Sequence, residues 1–295
     1  MSQILFLSGK GGTGKTSLAG AFAYLMPDKI LADCDVDAAN LHLLFSMSSD
    51  DRGSFVGSNE AILDESLCIT CGRCVEVCRF HAIHDPIAID PLLCEGCGAC
   101  ETVCPVDAIT LKPRVSGHWI IGSTPVGPIV TAELLPGEEA SGKLVTEVKR
   151  RAAEVGATRG ITHSVIDGSP GIGCPVIAST SGVDLAVLVT EPSLSGMHDL
   201  ERILAVVRHF GIDAGVVINK WDLSPETAAQ IERFSNDQEL EVLGRIPYDA
   251  GVPEALVEKR HPISDPGSRA GTAMREIVRR VGDRLDLGTD GVSNE

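Results

Sequence analysis

Eight of the ten cysteines fall in two short runs with the same spacing, C-x2-C-x2-C-x3-C, and the second run begins 26 residues after the first. The runs are Cys68, Cys71, Cys74, Cys78 and Cys94, Cys97, Cys100, Cys104. Thiolates at such short spacing bind iron-sulfur clusters or zinc. Two structural zinc sites are the alternative, because four-thiolate zinc sites also use C-x2-C pairs. The full x2, x2, x3 spacing of four cysteines in each run goes beyond the C-x2-C pairs that zinc sites use, so it favours two 4Fe-4S clusters.

This spacing resembles that of bacterial two-cluster ferredoxins, in which the fourth cysteine of each run ligates the other cluster. The resemblance implies two crossed ligand sets: Cys68, Cys71, Cys74 and Cys104 for cluster 1, and Cys94, Cys97, Cys100 and Cys78 for cluster 2. The ferredoxin proline follows the second run as Pro105, whereas Arg79 follows the first. Such paired clusters normally transfer electrons. Alternatively, they only hold a small module together, since an insert with so small a core needs metal to fold.

A second candidate site lies near the N-terminus, between the apolar run Ile4 to Leu7 and the helical stretch Ser17 to Met26. Its sequence, Gly9-Lys10-Gly11-Gly12-Thr13-Gly14-Lys15-Thr16, fits the phosphate-binding pattern G-x-x-x-x-G-K-S/T. In that pattern backbone N–H groups surround the phosphates, here those from Gly9 to Ser17, and the lysine, Lys15, reaches the outer phosphates. The hydroxyl of Thr16 would ligate Mg2+. A glycine-rich turn without a ligand is the alternative.

Lys10 adds a second lysine to this loop, in the form G-K-G-G-T-G-K-T. The loop resembles the deviant phosphate loop of the MinD-like ATPases, a family that includes the Mrp-type iron-sulfur carriers and the nitrogenase iron protein. In that family the early lysine crosses a dimer interface to the partner's nucleotide. The resemblance therefore implies a nucleotide-sandwich homodimer, or a dimer with a related ATPase subunit. A solvated surface lysine is the alternative.

Two further segments resemble the switches of the same family. Asp33-Cys34-Asp35-Val36-Asp37-Ala38-Ala39-Asn40 matches the first switch, which implies that Asp35 positions or activates the attacking water. Asp167, at the start of the second, would hold Mg2+ through a water, and Asn219 would contact the adenine. Asn219-Lys220-Trp221-Asp222 also fits the guanine-selective N-K-x-D pattern, so GTP is the alternative to ATP.

Two cysteines, Cys34 and Cys174, lie outside the ferredoxin-like runs, one in each switch. The Mrp-type carriers bridge a cluster between subunits with a C-terminal C-x2-C pair, which is missing after Cys174. We therefore expect Cys174 to be a small buried thiol, with a redox or interfacial role as the alternative.

The composition bounds the function. The 41 acidic and 25 basic residues give a formal net charge of −16, which disfavours nucleic acid and anionic lipid as partners. No run of eighteen uncharged apolar residues is present, and the N-terminus begins directly with a predicted strand. The cysteine spacing indicates metal ligation in a reducing compartment. We therefore expect a cytoplasmic protein without stable membrane association.

Apolar runs alternate with helical periodicity through most of the chain, which predicts an α/β fold with a mainly parallel sheet covered by helices on both faces. The alternation breaks from residue 64 to 113, which predicts a small inserted α+β ferredoxin-like module. The ATPase domain would then comprise residues 1–63 and 114–287. We expect a mobile connection at Ser46 to Asn59, a loop at Pro125 to Gly142, and a disordered tail at 288–295.

These motifs together predict an ATPase in which Lys10, Lys15 and Asp35 act on the transferred phosphoryl group. Nucleotide state would control electron transfer to, or metallocluster assembly on, a partner protein. A MinD/ParA-like positioning or scaffold ATPase with purely structural clusters is the first alternative. A ferredoxin-type electron carrier with a vestigial nucleotide site is the second.

Overall fold

The computed structural model describes residues 1–138, 141–258 and 260–285. The chain divides into two units. The first comprises Met1–Arg52, Trp119–Glu133 and Ser141–Glu295, and the second comprises Gly53–His118 and Leu134–Ala140. The expected disordered tail, 288–295, lies outside the described residues.

The strands of the described residues are β1 (Ser2–Ser8), β2 (Lys29–Asp33), β3 (Ser48–Leu63), β4 (Ile83–His84), β5 (Ala88–Ile89), β6 (Ile109–Thr124), β7 (Gly127–Leu134), β8 (His163–Pro170), β9 (Leu185–Thr190), β10 (Asp213–Asn219) and β11 (Glu241–Ile246). The helices are α1 (Lys15–Leu25), α2 (Arg73–Val77), α3 (Ala99–Val103), α4 (Ser141–Arg159), α5 (Cys174–Thr180), α6 (Leu194–His209), α7 (Pro225–Asp237), α8 (Gly251–Val257) and α9 (Arg269–Arg284).

Nine strands form one sheet in the order β11-β10-β9-β1-β8-β2-β7-β6-β3. All pairs from β11 to β7 run parallel. Parallel strands joined by helices are covered on both faces, which explains why β9 is buried along its whole length. The predicted α/β fold with a mainly parallel sheet is confirmed.

The central strand β1 carries the phosphate loop at its carboxyl end. Its residues Ile4 to Leu7 are almost fully buried, and Phe6 packs edge-on against Phe22 of α1, with ring centroids 4.9 Å apart. Helix α9 packs its apolar residues, among them Ile277 and Val281, into the same core. The strand β1 and the helix α1, which flank the phosphate loop, are therefore anchored in the main hydrophobic core.

Two segments expected to be irregular are strands. Ser48–Leu63, which includes most of the expected mobile connection Ser46 to Asn59, forms β3, and β7 occupies much of the expected loop Pro125 to Gly142. Both expectations are wrong. β3 is last in the strand order and largely exposed, so its Ser, Asp and Arg residues carry no hydrophobic periodicity. β7 begins next to turn residues, but its Ile129 and Val130 are buried and pair with β2.

The second unit contains a structural repeat with an offset of 26 residues. Helix α2 begins after Gly72 and α3 after Gly98, and both glycines are left-handed, with φ of 77° and 78°. Cys74 and Cys100 occupy equivalent buried positions on the two helices. The repeated cysteine spacing thus corresponds to a repeated backbone.

Across the described part of the chain, no helix combines the length and the apolar character needed to cross a bilayer.

Candidate functional site

The phosphate loop connects the end of β1 to the start of α1 and lines an open cavity of about 860 Å³. Gly12 and Gly14 have positive φ of 81° and 89°, which turns the backbone before the helix starts at Lys15. Residues of both predicted switches, including Asp35 and Ser169, line the same cavity. The structure therefore brings the loop and the switches together at the carboxyl ends of parallel strands, where such sheets bind ligands.

Asp167 links the two residues of the loop that are expected to act on phosphate and Mg2+. Its Oδ1 lies 2.5 Å from Nζ of Lys15, and its Oδ2 accepts a hydrogen bond from Thr16 Oγ1 at 2.6 Å. Asp167 is fully buried within β8, three residues before the strand ends, and it pairs with Asp33 of β2. Lys15 and Thr16 are thus held by one carboxylate at the place predicted for the metal ion.

The first switch contains two buried carboxylates with different roles. Asp33 is fully buried and accepts hydrogen bonds from the backbone N–H groups of Asp35 and Leu41, so it fixes the loop. Burial, with Asp167 nearby, raises the pKa of Asp33. Asp35 faces the cavity with its Oδ2 3.9 Å from Lys15 Nζ, and burial raises its pKa to about 6. A carboxylate with a pKa near neutrality is suited to general-base chemistry.

Asn219 supports the loop from the end of β10. Its side-chain Nδ2 donates a hydrogen bond to Thr13 O at 2.7 Å, and its Oδ1 accepts one from Lys220 N at 2.9 Å. Asp222, the acid of the N-K-x-D pattern, accepts a hydrogen bond from Tyr248 N and lies 3.6 Å from Arg269. In this structure Asn219 therefore contacts the loop backbone, and Asp222 is engaged by protein groups.

Lys10 has a partner that the sequence did not indicate. Its Nζ lies 3.4 Å from Glu191 Oε2, and Glu191 Oε1 lies 2.6 Å from Lys220 Nζ. Lys220 also donates a weak hydrogen bond to Gly12 O at 3.4 Å. Glu191 directly follows β9, at the carboxyl edge of the sheet. Ligands bind at this edge, so the position of Glu191 after a predicted strand was the sequence feature that could have identified it as a site residue.

Gly14 provides a sharp test of the loop. We expect Gly14→Ala to weaken ATP binding at least about tenfold, because a left-handed φ costs an L-residue about 1–2 kcal/mol. In addition, the new Cβ would lie 2.3 Å from Asn219 Nδ2, whose hydrogen bond it would break. Gly11→Ala is the matched control, since a Cβ there meets no atom within 4 Å. Isothermal titration calorimetry of both variants measures the difference. Equal affinities would contradict the assigned geometry.

The eight spaced cysteines line two small cavities of the second unit. Cys68, Cys71, Cys74 and Cys104 line one cavity, which we call cavity 1. Cys78, Cys94, Cys97 and Cys100 line the other, cavity 2. Each cavity thus receives three cysteines of one run and the fourth cysteine of the other run.

The donor chemistry of the cavities fits 4Fe-4S clusters. In the described residues no three His, Cys, Asp or Glu side chains converge as ligands of a single metal ion do. A 4Fe-4S cluster has a different requirement, because each of its four thiolates binds a different iron atom. Backbone N–H groups point at the sulfurs: Ala82 N donates to Cys78 Sγ at 3.3 Å and Ala108 N donates to Cys104 Sγ at 3.2 Å. Such donors stabilise thiolate ligands.

The two remaining cysteines differ in their surroundings. Cys34 is fully buried, and burial raises the pKa of its thiol far above the ordinary range. Cys174 is exposed at the first position of α5, which corrects the expectation of a buried thiol. The reason is its place at the end of a loop bordering the open cavity, between the lining residues Gly173 and Pro175.

Comparisons with known proteins agree with the fold and the loop. Residues 4–263 match the family described as CobQ/CobB/MinD/ParA nucleotide binding domain. An uncharacterized protein of Methanocaldococcus jannaschii, MJ0578, is 34% identical over 283 residues, covering 95% of this chain and 96% of that protein. The septum site-determining protein MinD of Bacillus subtilis is 24% identical over 287 residues, covering 94% of this chain and 88% of that protein.

Solved structures of similar fold include the cell division ATPase MinD of Pyrococcus furiosus. It has a TM-score of 0.58 and 20% identity, covering 97% of this chain and 100% of that one. MinD of Pyrococcus horikoshii, in complex with Mg-ADP, has a TM-score of 0.57 and 18% identity, covering 98% of this chain and 99% of that one. At sequence identities of 20% and 18%, the similarity to these solved structures establishes the fold alone. The family match over most of the sequence goes further: the chain belongs to the CobQ/CobB/MinD/ParA family of nucleotide-binding domains.

Proposed function

We propose that this protein is an ATP-hydrolysing iron-sulfur protein that couples nucleotide state to electron transfer or metallocluster assembly on a partner protein. The observation that carries the proposal is the pair of cavities, each lined by three cysteines of one run and the fourth of the other. A family member built only to bind nucleotide needs no such cysteines. When bound, 4Fe-4S clusters supply one-electron redox chemistry.

The nucleotide half of the proposal is supported by the loop and the switches. Lys15 would meet the outer phosphates, and Thr16 and Asp167 would hold Mg2+, Asp167 through a water. Asp35 would orient and activate the attacking water, for which its position beside Lys15 and its raised pKa are suited. Asp167 would have to exchange its present contacts for the metal, so nucleotide binding would move the second switch.

Lys10 supports a dimer in which each subunit completes the other's nucleotide site. The Lys10 side chain is 36% exposed, and its ammonium group is paired with the carboxylate of Glu191. To reach a partner's nucleotide, Lys10 would have to leave Glu191. A second copy of this chain, or a related subunit, would supply the phosphate that replaces that carboxylate.

This arrangement predicts that Glu191 restrains dimerisation. We expect Glu191→Gln to raise the ATP-dependent dimer fraction up to about fivefold, because a partly exposed ion pair such as Lys10–Glu191 contributes about 1 kcal/mol or less. Sedimentation velocity with a non-hydrolysable ATP analogue measures the dimer fraction. Glu201→Gln, an exposed acid on α6, is the control and should leave it unchanged. A lower dimer fraction in Glu191→Gln would contradict a restraining role.

Coupling is tested by an anaerobic redox titration with electron paramagnetic resonance on the reconstituted protein, without nucleotide, with MgADP and with MgATP. We expect the cluster potentials or spectra to change with nucleotide, and the change to vanish in Lys15→Ala. Clusters that stay the same in all three states, alongside measurable ATP hydrolysis, would overturn direct coupling.

A positioning or scaffold ATPase with structural clusters is the second candidate, favoured by the similarity to Bacillus subtilis MinD across most of both chains. It predicts that the clusters do not change their oxidation state in the cell and that nucleotide leaves their spectra unchanged. The same titration therefore separates the two functions.

A further inference from the structure

The two cysteine-lined cavities share one repeated backbone but differ in charge. Arg73 lines cavity 1, whereas Ala99, its counterpart 26 residues later, lines cavity 2. Conversely, Glu95 lines cavity 2, and its counterpart Ile69 lines cavity 1. Each cavity therefore has one formally charged lining residue besides its cysteines, and the two residues have opposite signs.

Cavity 1, which has the positively charged lining residue, also has more backbone N–H groups that donate hydrogen bonds to its cysteine sulfurs. Each cavity has one equivalent donor, Ala108 N to Cys104 Sγ in cavity 1 and Ala82 N to Cys78 Sγ in cavity 2. Cavity 1 has a further one, because Thr70 N donates to Cys68 Sγ at 3.4 Å. In the part of the chain that the structure describes, Cys94 Sγ, at the equivalent position of cavity 2, has no such donor.

Reduction adds one negative charge to a cluster. A nearby arginine and additional N–H donors stabilise that charge, and a nearby carboxylate destabilises it. We propose that the two cluster sites have different reduction potentials, with the higher potential in cavity 1 and the lower in cavity 2. This inference rests on the proposed function, in which both cavities hold 4Fe-4S clusters.

The consequence is an internal order for electrons. A single electron supplied to the module by a low-potential one-electron donor resides mainly on the cluster of cavity 1. The second electron enters the cluster of cavity 2, and it does so only at a lower potential. Arg73 and Glu95 are thus residues that set the potentials without ligating iron.

The test is an anaerobic potentiometric titration of the full-length reconstituted protein, followed by electron paramagnetic resonance, in the parent, Arg73→Ala and Glu95→Gln. The parent should show two separate waves. We expect Arg73→Ala to lower the ratio of reduced to oxidised cluster about threefold at the midpoint of the higher wave, by loss of a favourable but solvent-screened charge interaction. Glu95→Gln should raise the same ratio about threefold at the midpoint of the lower wave, because its charge is screened in the same way. The double variant should bring the waves together.

Both side chains are largely exposed, so salt should reduce the separation of the waves. Arg79→Ala and Glu76→Gln are matched controls, because both residues are exposed and neither lines a cavity. Coincident waves in the parent, or substitutions that shift the wrong wave, would overturn the inference while leaving the clusters in place. Fewer than two clusters per chain by iron and spin quantification would instead overturn the proposed function. Unchanged iron content in each variant excludes misfolding as the cause of a shift.

Discussion

Replacing Asp35 by asparagine is expected to lower kcat for ATP hydrolysis at least about a hundredfold, the usual loss when a general base is removed. ATP binding should persist, because the substitution leaves Lys15, Thr16 and the loop backbone in place. Steady-state hydrolysis and equilibrium binding of ATP measure the two quantities separately. Asparagine preserves the shape of the side chain, so the loss would report on the carboxylate.

The pH dependence of the parent gives an independent check on Asp35. Burial raises its pKa to about 6, and only the deprotonated carboxylate can accept a proton from water. Therefore kcat/KM, which reports the free enzyme, should rise about tenfold per pH unit below about pH 6 and level off above it. In Asp35→Asn this dependence should disappear.

Asp37→Asn is the matched control, since Asp37 lies on the same loop and lines the same cavity but is exposed. Its kcat should stay within about threefold of the parent, because an exposed charge near the site has only a screened effect. If Asp35→Asn retained more than a tenth of the parent's kcat, Asp35 would not be the base, and water positioning would have to be assigned to backbone groups.

Cysteine substitutions are expected to have the second large effect. The parent should bind about eight iron atoms per chain and Cys104→Ser about four, because loss of one thiolate releases a whole 4Fe-4S cluster. The crossed geometry makes a sharper statement about pairs. Cys68→Ser combined with Cys104→Ser should still retain about four irons, because both residues line cavity 1.

Cys78→Ser combined with Cys104→Ser should retain almost no iron, because these residues line different cavities. Ligation within each run would give the opposite result for the first pair, whose two cysteines belong to different runs. Cys174→Ser, an exposed cysteine in the other unit, is the control and should keep all the iron. Zinc in place of iron in the anaerobically purified protein would contradict the cluster assignment.

Patterns that depend on local geometry were readable from the sequence. The phosphate loop was recognisable because positive φ at Gly12 and Gly14 and a helix starting at Lys15 follow from the order of glycines and lysine. The parallel sheet was recognisable because strands buried on both faces must be continuously apolar, as in Leu185–Thr190. The crossed cysteine sets came from a known spacing.

Strands without such a pattern were not readable. An edge strand is solvated along most of its length, so β3 could be built from Ser, Asp and Arg without any hydrophobic alternation. The burial of Cys34 and the exposure of Cys174 were equally hidden, because both belong to similar switch segments and differ only in the neighbours that tertiary packing supplies.

The sequence by itself determined the nucleotide-binding family, the mainly parallel sheet and the two repeated cysteine runs, because each depends on residue types at fixed short spacings. Only the tertiary structure decided which distant groups meet. Lys10 meets Glu191 and Asn219 meets Thr13 across more than 180 residues, and Arg73 and Glu95 line opposite cavities. Such contacts depend on how strands and helices pack, and sequence spacing alone does not encode the distances that result.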